Sequence, residues 1–484
     1  MLSILIVPLA AGITCAILPA RRTRAAAAVT VAAGVACFAL VLTLVPAAAH
    51  RDLNYLSYLR ADAVSAIFLL ATGFLYAAVA VYTVGYTKRH EDLYGRRFYA
   101  GLNLFAWAML AAPLMSSLAL LWIAVEITTI ISALLVAIED TDGAAEAAWK
   151  YVLIASAGLG LALLGTVFAY YAGAQVLGEH YNLAIQPLIA AGPHLPATPV
   201  RLAFLLALLG YGTKVGLFPV HTWLPDAHSE APTPVSALLS GSLLAVSFYA
   251  ILRFYQFTAA ALGSGFPRDA LLAFGVASLL LAALYVFGQR DIKRLLAYSS
   301  VEHMGILAIG VSFGAPVALA GVMLHVLAHA AAKGNAFMGA GVLVVKFGSK
   351  RISAIRGGLD LLPWSGPLFL LAVFALSAMP PSGIFRSEFQ IVYGGLASGD
   401  YAAAAVLVVL VTVAFFGLTA SATRMLFTPA PLRARPTLTR GEPSAWMVVP
   451  VLAGVAVLFI LGIHPPGELT GLIDRAVLQL GAAR

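Results

Sequence analysis

A lysine in an apolar run is the first residue that demands chemistry. From Leu205 to Gly241 the chain reads LLALLGYGTKVGLFPVHTWLPDAHSEAPTPVSALLSG, in which Lys214 sits in a membrane-length apolar run before breakers at Gly216 and Pro219. An ammonium at a helix centre costs about 2.5–3.5 kcal/mol on insertion scales, so such a lysine has a carboxylate, a water cavity or a proton to serve. Glu126, midway along SSLALLWIAVEITTIISALLVA, is its natural partner, with a hydrogen bond to Thr128 or Thr129 as the plainer alternative. Burial and mutual attraction oppose each other in such a pair, so neighbouring charges can switch it.

Three more titratable groups share one helix face. His325, His329 and Lys333 in LHVLAHAAAKGNAF are spaced i, i+4, i+8, about 6 Å per step. Imidazoles accept and donate protons near neutral pH, so this row can pass protons or align water, whereas a lone membrane histidine is more often a packing residue. A His-x3-His zinc pair lacks a third ligand here and has a lysine nearby, so no metal is expected. Glu302 and His303 in AYSSVEHMGI lie about two turns inside their run. Glu388 follows a second helix break, where it can end a proton path or be neutralised by Arg386. His221, Asp226, His228 and Glu230 belong to the loop after Lys214 and are expected near the surface, where capping or loop ordering competes with proton transfer. Asp291, with Arg290, Lys293 and Arg294, reads as a surface cluster.

The elements that position these groups are membrane helices. Of 484 residues, 61% are hydrophobic and 10% charged, far from the quarter charged in ordinary soluble globules. The formal charge of +8 reflects membrane topology rather than nucleic-acid binding. Cys15 and Cys37 are too few and too separated for a disulfide framework or a metal cluster. The first twenty residues have their basic cluster, Arg21, Arg22 and Arg24, after the apolar core and so form a first helix rather than a cleaved signal. Fourteen apolar runs lie between residues 2 and 463, each about long enough to span 30 Å of hydrocarbon. They include 200–220, 233–257, 295–314, 316–346 and 363–389, the seventh, eighth, tenth, eleventh and twelfth. Loops 173–199 and 428–444 are the longest. With the N-terminus outside, nineteen Lys and Arg residues fall inside and seven outside, which favours both termini outside.

Residues 1–484 therefore read as one all-α bundle. Gly216-Leu217-Phe218-Pro219-Val220-His221 has a partner in Gly383-Ile384-Phe385-Arg386-Ser387-Glu388, five helices later. An odd offset inverts the second copy, so 98–257 and 269–427 read as inverted repeats with discontinuous helices at the ion path.

TKVGLFPVHTWLPDAHSEAPTPVSALLSG, GQRDIKRLLAYSSVEHMG and the His325, His329, Lys333 row resemble the antiporter-like membrane subunits of respiratory complex I, Mrp antiporters and group-4 hydrogenases. SSVEHMG, AHSEAP and the GIF-x-SEF pattern at 383–389 resemble the hydrogenase-4 F-type subunit in particular. The resemblance implies fourteen helices, a Glu126–Lys214 charge pair, a hydrophilic axis through His325, His329 and Lys333, and Glu388 as distal acid. It further implies a plasma (inner) membrane protein that moves protons, binds no cofactor itself, and joins membrane and peripheral subunits of an electron-transfer complex, with no nucleic acid. As no nucleotide loop, haem motif or metal cluster is seen, redox chemistry belongs to partner subunits. Two other readings remain: an Mrp-type Na⁺/H⁺ antiporter module, and a non-pumping anchor. The last gains from SLLAVSFYAILRF in the eighth run, where many relatives carry a lysine and this chain aligns Ala245, leaving water held by side chains such as Ser247 to make the link.

Overall fold

The computed structural model describes residues 1–19, 21–89, 94–429 and 439–481. Among the residues named or counted above, Arg433, Arg435 and Arg484 lie outside the described residues, as do position 20 and positions 90–93.

Apolar stretches form helices because every peptide group in hydrocarbon must be satisfied within its own segment. The bundle comprises α1 (Leu2–Ile17), α2 (Thr23–His50), α3 (Ala63–Tyr86), α4 (Arg96–Ala111), α5 (Leu118–Val136), α6 (Asp142–Leu177), α7 (Ala197–Val215), α8 (Leu224–Glu230), α9 (Thr233–Leu262), α10 (Gly265–Tyr285), α11 (Ile292–Phe313), α12 (Pro316–Phe347), α13 (Ser365–Leu376), α14 (Gly383–Ala397), α15 (Tyr401–Phe427), α16 (Ala445–Ile463) and α17 (Gly467–Gln479). Among the described residues, ten helices are long and apolar enough to cross a membrane. The remaining four of the fourteen runs are α1, α4 and two interrupted crossings, α7–α8 and α13–α14. A small antiparallel hairpin, β1 (Leu53–Tyr55) with β2 (Leu59–Ala61), covers one end. Two segments are more ordered than their sequence suggests. The 173–199 loop is shortened by α6, which runs 36 residues to Leu177, and holds a short helix, Ile185–Ala190. Beyond the fourteenth run, α17 buries Leu469, Leu472, Ile473, Ala476 and Val477 against α2, α3 and α12.

Enclosure separates the helices by role. α9 and α11 are buried along their whole apolar length, with α3 and α12 nearly so, while α10 and α15 turn most of theirs outward. Polar side chains at membrane depth are affordable where a helix turns a buried face to the bundle, and the enclosed set offers the most such surface. Within α9, Leu239–Leu243 widens into a π-helical turn, a feature that recurs at functional positions.

Both interrupted crossings end on a left-handed residue. α7 stops at Val215 and Gly216 takes φ 83°; a Cβ there would run into Leu224. The second break has Ala378 at φ 52°. Each break contains a cis proline bond, Phe218–Pro219 and Pro380–Pro381. The six-residue match found in sequence does not superpose the two breaks. Gly216–His221 forms the first break itself, whereas Gly383–Glu388 begins the helix after the second, so Gly216 corresponds to Ala378.

At one end of α9 Arg253 is buried and bonds Asp62 at 2.6 Å, Ser65 at 3.0 Å and Gln256 at 2.8 Å. Nearby, Asp52 receives Arg60 at 2.6 Å and Arg475 at 2.9 Å, and Gln256 donates to the Gln479 carbonyl at 2.8 Å, which fixes α17. The opposite end carries Lys350 on Glu230 at 3.0 Å and Arg294 on Asp226 at 3.0 Å.

Small residues let α6 and α7 meet backbone to backbone, as is common where lipid supplies no hydrophobic drive. A Cβ on Gly210 would come within 2.6 Å of the Gly158 carbonyl, while one on Gly160 would meet open space. Gly210→Val should therefore cost roughly 3 kcal/mol, the upper range for overpacking. Gly160→Val should be nearly neutral. Thermal aggregation in detergent, read by size-exclusion chromatography, checks the contrast; equal melting points would refute it.

Candidate functional site

Lys214 is placed by the break. It lies in the last turn of α7, not at mid-helix, and is fully buried. That turn exposes carbonyls that lack helical partners. Trp223 Nε1 donates to one of them, Thr213, at 2.7 Å. The ammonium donates to Thr129 Oγ1 at 2.8 Å and to the Tyr151 hydroxyl, with the Tyr151 ring centroid 4.5 Å away. Tyr151 also meets Ser132 Oγ at 2.7 Å.

The expected ion pair with Glu126 is not formed. Glu126 is partly buried, accepts from Ser156 Oγ at 3.2 Å, and has its second oxygen unpartnered. Thr129, the residue Lys214 does reach, lies three positions along α5, so about one helical turn separates acid from lysine. Hydroxyls of Thr129, Tyr151 and Ser156 occupy the ground between them. Sequence reading named Thr129 only as a partner for Glu126 and missed Tyr151 on α6. Its one signal was a tyrosine within an apolar helix.

The second constellation is built by α11, α12 and α14. His325, His329 and Lys333 line α12 as their spacing predicts, all fully buried. Glu302 and His303 lie mid-way along α11, about three turns from its start at Ile292, because the helix begins earlier than the apolar run. His303 Nδ1 is 3.1 Å from His325 Nε2 and 3.9 Å from Glu388 Oε1. His325 Nδ1 is 2.9 Å from Ser387 Oγ, whose hydroxyl donates to the Ile384 carbonyl at 2.8 Å. That last bond orders the rest. The Ser387 oxygen must accept, so His325 carries its proton on Nδ1 and offers Nε2, and His303 must donate to it from Nδ1. The chain ends at His303 Nε2, which has no partner. The His329 ring lies 5.3 Å from that of His303, with both nitrogens unpartnered. One helical turn further, Lys333 donates to the Leu296 carbonyl at 3.0 Å and Ser299 Oγ at 2.8 Å.

Glu388 thus faces His303 rather than Arg386, which donates instead to the Ile463 carbonyl at 3.2 Å at the end of α16. Glu302 is buried with one oxygen unpartnered. The eighth run is polar by other residues than expected. Ala245 is buried, so it does not face lipid, but Ser247 is spent on the Leu243 carbonyl of its own helix at 3.0 Å. The π-helical turn supplies Ser240, which bonds Ser300 at 2.7 Å, next in sequence to the serine that holds Lys333.

His228 is the largest correction among the loop residues. It is fully buried, not superficial, with Nδ1 donating to the Leu224 carbonyl at 2.8 Å and Nε2 unpartnered. Its ring lies 6.0 Å from Trp223 and 5.9 Å from Phe337 on α12, between the Lys214 group and the Lys333 helix. Lys293 is likewise buried, its ammonium on the carbonyls of Ser229 and Ala231, while Asp291 caps α11. His221 is buried beside Phe218. Asp226 and Glu230 form the surface ion pairs already described. A cavity of about 760 Å³ opens beside Glu139, Glu230, Lys293 and Lys350. Among the described residues, His303, His325 and Glu388 are the group whose donor atoms converge closely enough to hold a metal ion.

An enclosed polar row between two interrupted helices defines an ion-translocating membrane subunit. The chain belongs to the NADH:quinone oxidoreductase/Mrp antiporter transmembrane family, whose sequence profile matches residues 115–416. It is 36% identical over 367 residues to the hydrogenase-4 component F homolog of Methylacidiphilum infernorum, covering 74% of this chain and 76% of that one. To NADH-quinone oxidoreductase subunit N of Desulforudis audaxviator it is 30% identical over 427 residues, covering 86% and 84%. In fold it matches a chain of the Mrp complex from Dietzia sp. with a TM-score of 0.86 at 20% identity, covering 99% of both chains. A chain of respiratory complex I from Thermus thermophilus gives a TM-score of 0.83 at 23% identity, covering 99% of this chain and all of that one. It is therefore a multi-pass membrane protein of a family whose members are subunits of larger complexes.

The ordered hydrogen bonds predict tautomers. In ¹⁵N-histidine spectra of the purified protein, His228, His303 and His325 should carry their protons on Nδ1 when neutral. Ser387→Ala should release that preference at His325 and leave His228 unchanged; an Nε2–H His325 in the parent protein would contradict the bond order.

Proposed function

We propose that this chain translocates protons as a membrane subunit of a complex I-like or hydrogenase-4-like oxidoreductase complex, driven by electron transfer in partner subunits. The carrying observation is the buried series of titratable groups running from Lys214 past His228 to Lys333, His329, His303, His325 and Glu388. Glu126, Glu302 and, at the mouth, His221 and Glu230 extend it. Imidazoles relay protons by accepting on one nitrogen and donating from the other. In the His303–His325–Ser387 chain every proton already points one way, so passage of a proton requires the chain to reset before the next. Serine hydroxyls at the π-helical turn, bonded to Ser300 and Thr72, make that part of α9 polar just before Ala245, the position aligned with a lysine in many relatives. On this reading 98–257 and 269–427 are two half-channels, and the complex lies in the plasma (inner) membrane with both termini outside. The 36% identity to a hydrogenase-4 component F homolog favours electron-transfer partners. No cofactor is assigned to this subunit.

A gated step at Lys214 follows from its surroundings. Its contacts are neutral hydroxyls, and Glu126 stands a turn away, so movement of α5 or α7 on the α6 between them can bring acid and lysine together or part them. Lys214→Met keeps bulk and removes charge; the complex should assemble and its proton uptake in vesicles should fall at least tenfold. Tyr151→Phe should give a smaller loss, and Glu126→Gln combined with Lys214→Met should be less than additive. Unchanged uptake in assembled Lys214→Met complex would overturn the proposal.

The family's shared ground with Mrp antiporters supports one rival, Na⁺/H⁺ exchange. If protons alone move, the pH gradient formed should be insensitive to replacing Na⁺ by K⁺ or choline. A strict Na⁺ requirement would establish the exchanger instead.

A further inference from the structure

We propose that His303, His325 and Glu388 form a binding site for a divalent transition-metal ion of the Zn²⁺ type, and that its occupancy interrupts the histidine row. The site follows from geometry, whereas the interruption rests on the proton-relay reading above.

The donor set is two imidazoles and one carboxylate, a combination that suits zinc and leaves a position open for water. Zinc bonds of about 2.0–2.1 Å in a tetrahedron set ligand atoms roughly 3.3 Å apart. Here His303 Nδ1 and His325 Nε2 are 3.1 Å apart, His303 Nδ1 and Glu388 Oε1 are 3.9 Å apart, and all three atoms lie within 4.8 Å of one another. Shifts of a few tenths of an ångström close the edges at His303, and rotation of the Glu388 side chain must bring its oxygen, within 4.8 Å of His325 Nε2, to the same spacing. Helices α11, α12 and α14 each supply one ligand, so the site is a property of the packed bundle.

Three surrounding features favour a cation. Ser387 Oγ accepts from His325 Nδ1, the outer-shell bond that fixes the tautomer and presents Nε2 to the ion. Glu388 Oε1 is buried without a hydrogen-bond partner. Glu302, next to His303 in sequence, adds a second buried carboxyl group within electrostatic reach of Glu388. Lys333, eight residues along α12 from His325, is the opposing cation, and its charge acts on both His303 and His325.

Access comes from the second helix break. A cavity of about 370 Å³ reaches Glu388 between Ser377, Met379, Phe385 and Thr412. On binding, the proton on His303 Nδ1 moves to Nε2, so the imidazole stays neutral, and any proton on Glu388 leaves to solvent. The ion then holds the His303 Nδ1 and His325 Nε2 lone pairs between which a relayed proton must pass.

Co²⁺ is the first probe, added to the purified complex in detergent with its visible absorption recorded and Zn²⁺ used as competitor. One tetrahedral-type Co²⁺ spectrum per chain should appear, weakened at least tenfold in affinity in His303→Gln and Glu388→Gln and unchanged in His180→Gln. Identical titrations in all four proteins would overturn the site. Zinc X-ray absorption of the unmutated complex removes dependence on variant folding: two imidazoles with at least one oxygen are expected, and a shell with fewer than two imidazoles overturns it. Proton uptake with and without Zn²⁺ tests the interruption, and metal-free Lys214→Met tests the relay separately. Undiminished uptake by protein carrying zinc in this shell would overturn the interruption. If Lys214→Met abolishes uptake yet no such shell forms, the relay stands and the metal site falls.

Discussion

Hydrocarbon offers no hydrogen bonds, and this constraint governs the whole molecule. Each ionisable side chain at membrane depth must find a partner on another helix or a free carbonyl. Lys214 uses two hydroxyls, Lys333 a serine and a carbonyl, Lys293 two carbonyls. All three draw on a helix end or a polar neighbour that the bundle supplies, and all three side chains lie on buried faces. Groups left without partners are therefore informative. His329, His303 Nε2, His228 Nε2 and single oxygens of Glu126, Glu302 and Glu388 are all unpartnered. Unpartnered atoms also occur at Arg60, Arg253 and Arg475 in the network at the far end of α9, so titratable groups with unpartnered atoms are found both there and at the two constellations.

The two halves solve the same problem with different chemistry. Around Lys214 the partners are hydroxyls of threonine, serine and tyrosine, which can reorient quickly and bear no charge. Around Glu388 they are imidazoles, which take up a charge when a proton arrives. Between them lies His228, held by the carbonyl of Leu224 at 2.8 Å, one turn before it on α8. Its position depends on the break: α8 is a seven-residue helix that turns the ring inward because Gly216 has already redirected the chain.

Charge at the two ends of the bundle has a different task. The Arg253–Asp62 pair is buried, and removing one partner of such a pair typically costs about 3–5 kcal/mol because the other is stranded. Through Gln256 and Gln479 the same network anchors α17 across α2, α3 and α12. The terminal helix thereby straps together helices distant in sequence and closes one end of the enclosed core.

By itself the sequence determined that the protein is an all-α membrane bundle, because runs of about 20 apolar residues have one stable form in lipid. It also determined the helix breaks at 216–219 and the inward row of His325, His329 and Lys333, since a spacing of four residues fixes a helix face whatever surrounds it. Motifs carried the family as well. Tertiary structure decided everything that depends on which helices meet. Glu126 and Lys214 are compatible in charge, yet α5 and α7 each pack on α6, and the lysine is met by Thr129 and by Tyr151 of α6. Nothing in AHSEAP distinguishes a superficial histidine from a buried one; α12 covers His228, and only packing reveals it. The repeat register was misplaced by sequence because a helix break is defined by backbone dihedrals, which Gly216 and Ala378 share without sharing a side chain. His303, His325 and Glu388 come from three helices and converge by packing alone, so no spacing along the chain could have announced them.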